Sequence, residues 1–278
     1  MIVFKKKEEL AHYLLSQKNR SIGFVPTMGS LHQGHISLIL QSQKKCSITV
    51  CSIFINPTQF NNIDDLKKYP KNIALDLKLL ENARCDIVYT PSSDDLYNKN
   101  EQAQNYEFNG LENCLEGKYR PGHFNGVATI VEKLLRLVKP NYAFFGEKDL
   151  QQLVIIKSLV KSIGMNIVIT GCPTTRDENG LALSSRNILL SKEDLLYSSI
   201  IYKQLLLFKK NYLNTSIIEL KNSIIKNLTK SKKIKIDYFE FIEIATLQPK
   251  LAINKETKYA ACIAVKISGV RLIDNIIL

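Results

Sequence analysis

The sequence predicts an α/β fold: a Rossmann-like doubly wound parallel sheet with a second, smaller α+β domain. Three observations predict it. Up to about residue 175, short apolar and β-branched runs alternate with segments of helical spacing, the pattern of strands joined by helical crossovers. One of those strands runs into a glycine-bearing turn that opens directly into a helix, Gly23-Phe24-Val25-Pro26-Thr27-Met28-Gly29-Ser30-Leu31-His32-Gln33-Gly34-His35. After Arg176 the order changes to helices followed by strands. The expected division is therefore 1–175 and 176–278.

Taken in order, Lys6 to Gln17 reads as a surface helix and Ser21 to Val25 as a short buried strand that Pro26 stops. Leu31 to Gln43 follows with apolar residues at Leu31, Ile36, Leu38, Ile39 and Leu40, which suits a buried helix. Ser47 to Ile55 is a continuous apolar run, as a fully buried parallel strand requires. It ends in Asn56-Pro57-Thr58-Gln59-Phe60, so Gln59 is expected at a strand's carboxyl end, where open α/β sheets bind ligands. Asn61 to Lys71 is polar and is expected to be a mobile flap. Ile73 to Ala83 reads as a helix, Cys85 to Tyr89 as a strand, and Leu111 to Phe124 as a charged, glycine-rich loop. Gly126 to Val138 has helical spacing, and Asn141 to Phe145 is a strand ending in Gly146-Glu147-Lys148-Asp149. Leu153 to Ile163 continues as a helix and Met165 to Thr170 as a strand. Past the small, polar Gly180 to Asn187 loop, Lys192 to Lys209 and Ser216 to Leu228 read as helices. Ile234 to Ala245, Tyr259 to Ile267 and Val270 to Ile273 read as strands.

Composition narrows the function classes. With 45% apolar and 23% charged residues in 278, the chain is folded and has ample core. No apolar run reaches the ~18 residues of a membrane span. Lys5, Lys6, Lys7, Glu8 and Glu9 interrupt Met1 to Leu15, unlike a signal peptide, so a cytoplasmic protein without a membrane partner is expected. Six scattered cysteines without C-x-x-C spacing favour buried thiols over a zinc site or disulfide framework. The net charge of +12 suits phosphate-bearing substrates. Its lysines interleave with Asn and Ile without stacking aromatics, which marks a solvated face, not a nucleic-acid groove. The dinucleotide and P-loop fingerprints are absent.

The turn at 23–35 carries the chemistry. Two glycines let the backbone approach a ligand, and a helix start offers unpaired N–H groups and the positive end of its dipole, which favour phosphate. His32 and His35 are three apart and are expected on one helix face; two of the chain's four histidines sit here. Imidazole is readily tuned to titrate near neutrality, which makes His35 the expected proton donor or transition-state stabiliser.

Met28-Gly29-Ser30-Leu31-His32-Gln33-Gly34-His35 is similar to the HIGH-type motif of nucleotidyltransferases. Together with Ile53 to Phe60, Arg120 to Gly126, Phe145 to Gln152, Leu183 to Asn187, Asp237 to Leu247 and Arg271-Leu272-Ile273-Asp274-Asn275, it makes the chain resemble the pantoate–β-alanine ligase (pantothenate synthetase) family over essentially its full length. The resemblance implies an AMP-forming amide synthesis in which pantoate and ATP give a pantoyl adenylate and pyrophosphate, and β-alanine then displaces AMP. It also implies ATP as substrate, Mg²⁺ with it, and a homodimer.

Residue by residue, the resemblance implies ATP contacts along Met28 to His35 (Met28, Gly29, Ser30, Leu31, His32, Gln33, Gly34, His35). Further ATP contacts are implied for Gly146, Glu147, Lys148 and Asp149, for Thr175, and for Leu183, Ser184, Ser185 and Arg186. His35, His32 and Lys148 are the expected catalytic residues, and Gln59 and Gln152 the pantoate and β-alanine site. Residues 1–175 would bind ATP and pantoate while 176–278 close over the nucleotide. Asp76 would help hold Mg²⁺ through water; Leu75 stands before it, where the family often has an acidic residue. Tyr69 and Arg120 would shield the substrates. Another HIGH-motif adenylyltransferase, or a basic nucleic-acid-binding protein on the same fold, is the alternative that fold alone leaves open.

Overall fold

A strand that is apolar on every residue is stable only where both its faces are covered. The computed structural model, which describes residues 1–278, meets that condition with six strands in one sheet. They are β1 (Ile2–Phe4), β2 (Ile22–Thr27), β3 (Ile48–Ile53), β4 (Ile87–Tyr89), β5 (Tyr142–Gly146) and β6 (Val168–Cys172). Their order is β1-β4-β3-β2-β5-β6, and every pairing is parallel. Neighbouring residues on a strand point to opposite faces. Accordingly Phe24, Val50 and Ile87 pack with α1 (Lys7–Leu15), while Val25, Cys51 and Val88 pack with α2 (Gln33–Lys45). Between β3 and β6 the chain forms α3 (Ile63–Lys68), α4 (Ile73–Asn82), α5 (Ser93–Leu96), α6 (Leu115–Tyr119), α7 (His123–Val138) and α8 (Leu150–Ser162). Of these, α7 and α8 join the face of α1, and α4 joins that of α2.

The remainder forms α9 (Lys192–Asn211), α10 (Ile217–Leu228) and an antiparallel sheet of β7 (Ile234–Glu243), β8 (Tyr259–Ile267) and β9 (Val270–Ile277). One face of this sheet, with Phe239, Phe241, Ile263 and Val265, packs on Ile201, Leu205 and Phe208 of α9 and Leu220 and Ile224 of α10. The other face, with Tyr238, Ile242, Ala260, Cys262 and Ala264, meets Leu115 and Leu150 from the parallel-sheet half.

Several expected boundaries move, each for a physical reason. Pro26 does not stop its strand. The Thr27 carbonyl accepts from Phe54 N on the β3 side, so Pro26 faces β5, whose pairing with β2 has ended at Phe24. No ladder donor is missed there. α2 begins at Gln33, not Leu31, with His32 as its N-cap, and Leu40 is exposed. The expected flap at 61–71 contains α3, capped by Asn62 Oδ1 accepting from Asp64 N at 2.7 Å. α6 forms inside the expected loop at 111–124, and α8 starts three residues early because Glu147–Asp149 is a single 3-10 turn. The edge strand β1 is an addition to the elements expected from the sequence.

Candidate active site

From β2 the chain moves outward to β3 and β4, then crosses back to β5 and β6 on the opposite side. The loops leaving β2 and β5 therefore diverge and open a crevice at the carboxyl edge of the sheet. A cleft of about 1020 Å³ lies there, walled on its far side by β7, β8 and β9. His32, His35, Gln59, Lys148, Asp149 and Gln152 line it, as do Met28, Gly34, Gly146, Thr175 and the segment from Leu183 to Arg186. Gly29, Ser30, Leu31, Gln33 and Glu147 do not line it, although their backbone shapes the turns that do.

The two imidazoles lie together, but across the helix cap, because His32 is the N-cap and only His35 is within the helix. His32 is extended, with φ −144°, and its Nδ1 accepts from Gly34 N at 3.1 Å, while His35 Nδ1 accepts from His32 N at 3.2 Å. The capping box is thus built from imidazoles, with ring centroids 4.1 Å apart. An accepting Nδ1 carries no proton, so each neutral ring keeps its proton on Nε2, and neither Nε2 has a partner within the chain. Burial, followed by the charge of Lys148, lowers His32 to about 4. Burial, His32 and Lys148 lower His35 well below its ordinary range. With its pKa held down, His35 offers a neutral Nε2–H as a hydrogen-bond donor, which fits the stabilising side of its expected role. Cationic imidazole is disfavoured next to an ammonium in a desolvated wall.

Asp76, on α4, is buried, and its two oxygens accept from Ser30 N at 2.9 Å and Leu31 N at 2.7 Å. That bond pair ties down the turn where Gly29 and Ser30 take positive φ. Both carboxylate oxygens of Asp76 thus serve the turn. No group of three or more His, Cys, Asp and Glu side chains gathers around a common point in the chain.

The Ser-Ser-Arg segment crosses from the second half to the first. Ser184 Oγ caps its 3-10 turn, Ser185 Oγ donates to Ser30 O at 2.9 Å, and Arg186 pairs with Asp65 of α3 at 2.7 Å. Lys148 pairs with Asp149 at 2.8 Å. Gln59 is buried against Met28, whose Sδ accepts from Gln59 Nε2 at 2.7 Å, and Asn56 Nδ2 donates to Gln59 Oε1 at 3.2 Å. Gln151 and Gln152 both line the cleft, but the side chain of Gln151 is consumed by Leu111 O, Cys114 O and Glu116 N. Arg120 is held by His123 Nε2 at 3.0 Å, and burial lowers it to about 10. Tyr69 is buried edge-on to Phe60. Sequence reasoning missed Asp65, Asn56 and the Glu116–Arg271 pair at 2.5 Å beside the cleft. Asp65 and Glu116 meet Arg186 and Arg271 across 121 and 155 residues, so no local spacing announces them, and Asn56 joins its neighbour Gln59 to the distant Tyr97 and Gly126.

Residues 2–277 match the family model described as pantoate-beta-alanine ligase. The chain is 46% identical over 280 residues to a pantothenate synthetase of Azobacteroides pseudotrichonymphae, covering 99% of each chain. It is 43% identical over 281 residues to one of Flavobacterium psychrophilum, again covering 99% of each. Among solved structures, a pantothenate synthetase of Thermus thermophilus has a TM-score of 0.93 at 34% identity and 99% coverage of both chains. A pantoate-beta-alanine ligase of Francisella tularensis, complexed with beta-gamma ATP and beta-alanine, has a TM-score of 0.82 at 37% identity, covering 100% of this chain and 97% of that one.

Proposed function

Because the chain belongs to the pantoate–β-alanine ligase family and is an ATP-dependent ligase joining pantoate to β-alanine in pantothenate biosynthesis, we propose that its reaction runs through a pantoyl adenylate held in this cleft. The observation that carries the reading is the convergence, in one crevice, of two N–H-donating imidazoles, Lys148, the Ser184 to Arg186 segment and two neutral glutamines. A carboxylate oxygen of pantoate attacks the α-phosphorus of ATP, and the bond from that phosphorus to pyrophosphate breaks. The β-alanine nitrogen then attacks the pantoyl carbonyl, the bond to AMP breaks, and the nitrogen releases a proton. Charge gathers on the transferring phosphoryl group, so positioning and donors aimed at it are the protein's main contribution.

In this reading His32 and His35 donate from Nε2, Lys148 neutralises phosphate charge, and Ser184, Ser185 and Arg186 take the outer phosphates. Gln59 and Gln152 hold pantoate without a charge that would blunt its carboxylate. Arg186 must exchange Asp65 for phosphate, which supports closure of residues 176–278 over the nucleotide. Mg²⁺ is proposed to arrive on the ATP phosphates with most of its waters, Asp76 lying behind the phosphate turn. A homodimer is proposed from the family resemblance, and a cytoplasmic location is in keeping with the absence of a helix long and apolar enough to cross a membrane. The test is pyrophosphate–ATP exchange with pantoate and Mg²⁺, without β-alanine, followed by AMP release once β-alanine is added. Exchange that needs pantoate and vanishes in His35→Ala supports the adenylate route. No exchange, and no AMP with both substrates, rejects it.

A further inference from the structure

The turn that presents Lys148 is anchored from the other half of the molecule. Asn275, on β9, is 5% exposed, and its Nδ2 donates to two consecutive carbonyls, those of Glu147 and Lys148, each at 2.9 Å. The 3-10 turn Glu147–Asp149 has no side-chain cap of its own. Both hydrogens of one amide are thereby used on the turn, which a carboxylate of the same shape cannot do. Asn275 is itself held: its N–H donates to Asp274 Oδ1 at 2.8 Å, and its carbonyl accepts from Arg176 Nη2 at 3.3 Å. Asp274, 4% exposed, takes both Arg176 terminal nitrogens, at 2.6 and 2.9 Å, and Arg176 lies 3.6 Å over the ring of Tyr202. An unbroken chain of contacts runs from α9 to the backbone of the lysine.

We propose that Asn275 is the positioning residue for Lys148: by gripping the carbonyls of Glu147 and Lys148 it sets the direction in which the ammonium leaves the turn and meets the nucleotide phosphates. This rests on the reading of Lys148 given above. Asn275 touches no reacting atom in that reading and acts only through the turn. Misplacing a reacting or binding group by an ångström costs on the order of 10²-fold in rate, so a grip of this kind is felt in turnover.

The test uses Asn275→Asp, isosteric but without donors, and Asn275→Ala, each alone and combined with Lys148→Ala. Pantoate-dependent pyrophosphate–ATP exchange is expected to lose on the order of 10²-fold in kcat in the single variants, with the KM for pantoate unchanged. In the Lys148→Ala background the same substitutions are expected to cost less than about twofold, because two residues that act as a unit are not additive. Equal losses in both backgrounds, a pantoate KM that rises in step, or full activity in a folded variant would overturn the proposal. An independent readout is the NMR titration of His32, which Lys148 helps depress. Its midpoint is expected to rise in Asn275→Ala as the ammonium leaves; an unmoved midpoint counts against the grip. Failure of both variants to fold would assign Asn275 to the fold alone and also overturn it. Absence of exchange in the unsubstituted protein would reject the adenylate reading, and the His32 titration would then decide the positioning by itself.

Discussion

At the residue scale, the protonation state of the imidazoles governs the pH response. Burial, with Lys148 beside it, pushes His32 from its ordinary 6.5 down to about 4, and burial beside Arg120 pushes His123 down to about 3. As pH falls the unfolded state takes up these protons first, so the stability they contribute is present above about 6.5 and is lost progressively towards 4 and below. Thermal melts should therefore show a midpoint that falls as pH drops from 6.5; a flat midpoint down to pH 4 contradicts buried neutral rings. The kcat for adenylate formation should carry no histidine limb between about pH 6 and 8, which a rate profile reads directly. His35→Ala should lower kcat by roughly 10²-fold, the usual cost of removing one donor from a developing anion. Gln59→Ala should instead raise the KM for pantoate by roughly tenfold or more, as loss of a hydrogen bond to a charged group does. The reverse pattern, KM for His35 and kcat for Gln59, would exchange their roles.

At the scale of elements, the phosphate turn depends on α4. Asp76→Ala leaves the amides of Ser30 and Leu31 without acceptors in a buried setting, at a cost of about 1–3 kcal/mol in urea unfolding. A metal role would predict the opposite signature, normal stability with altered Mg²⁺ dependence. This element also marks where the sequence was legible. Strands such as Ile48–Ile53 announce themselves because burial on two faces forces an unbroken apolar run, whereas Ile2–Phe4 is three residues long, largely exposed, and has no period to read. α3 had its signals, Asn62 before Asp64 and Asp65, with Lys67 and Lys68 at the end, yet lacked an apolar face to draw attention. In the site, His32, His35 and Ser184 to Arg186 stand out because their spacing is local. Asp76 meets Leu31 across 45 residues and Asn275 meets Lys148 across 127, so only the packed chain brings them together.

At the scale of the whole molecule, the two halves are joined by charge as well as by apolar contact. Arg271 on β9 takes Glu116 of α6 at 2.5 and 2.9 Å and Asp237 of β7 at 2.8 Å, and Tyr238 Oη donates to Glu116 at 2.8 Å. Arg271→Ala strands two shielded carboxylates and should cost roughly 3 kcal/mol or more in denaturant unfolding, the scale for breaking a buried pair from one side. A loss under about 1 kcal/mol would mean that water already screens the pair. The bonds from Asn275 to the Lys148 turn have a consequence in time. All six strands of the parallel sheet emerge from the ribosome before residue 270, so a nascent chain can complete that sheet while the cleft still lacks part of its far wall and the lysine turn its clamp. If Asn275 positions Lys148 as proposed, competence waits until β9 has been made and docked, and a chain cut before Val270 is expected to retain the parallel sheet but to turn over no substrate.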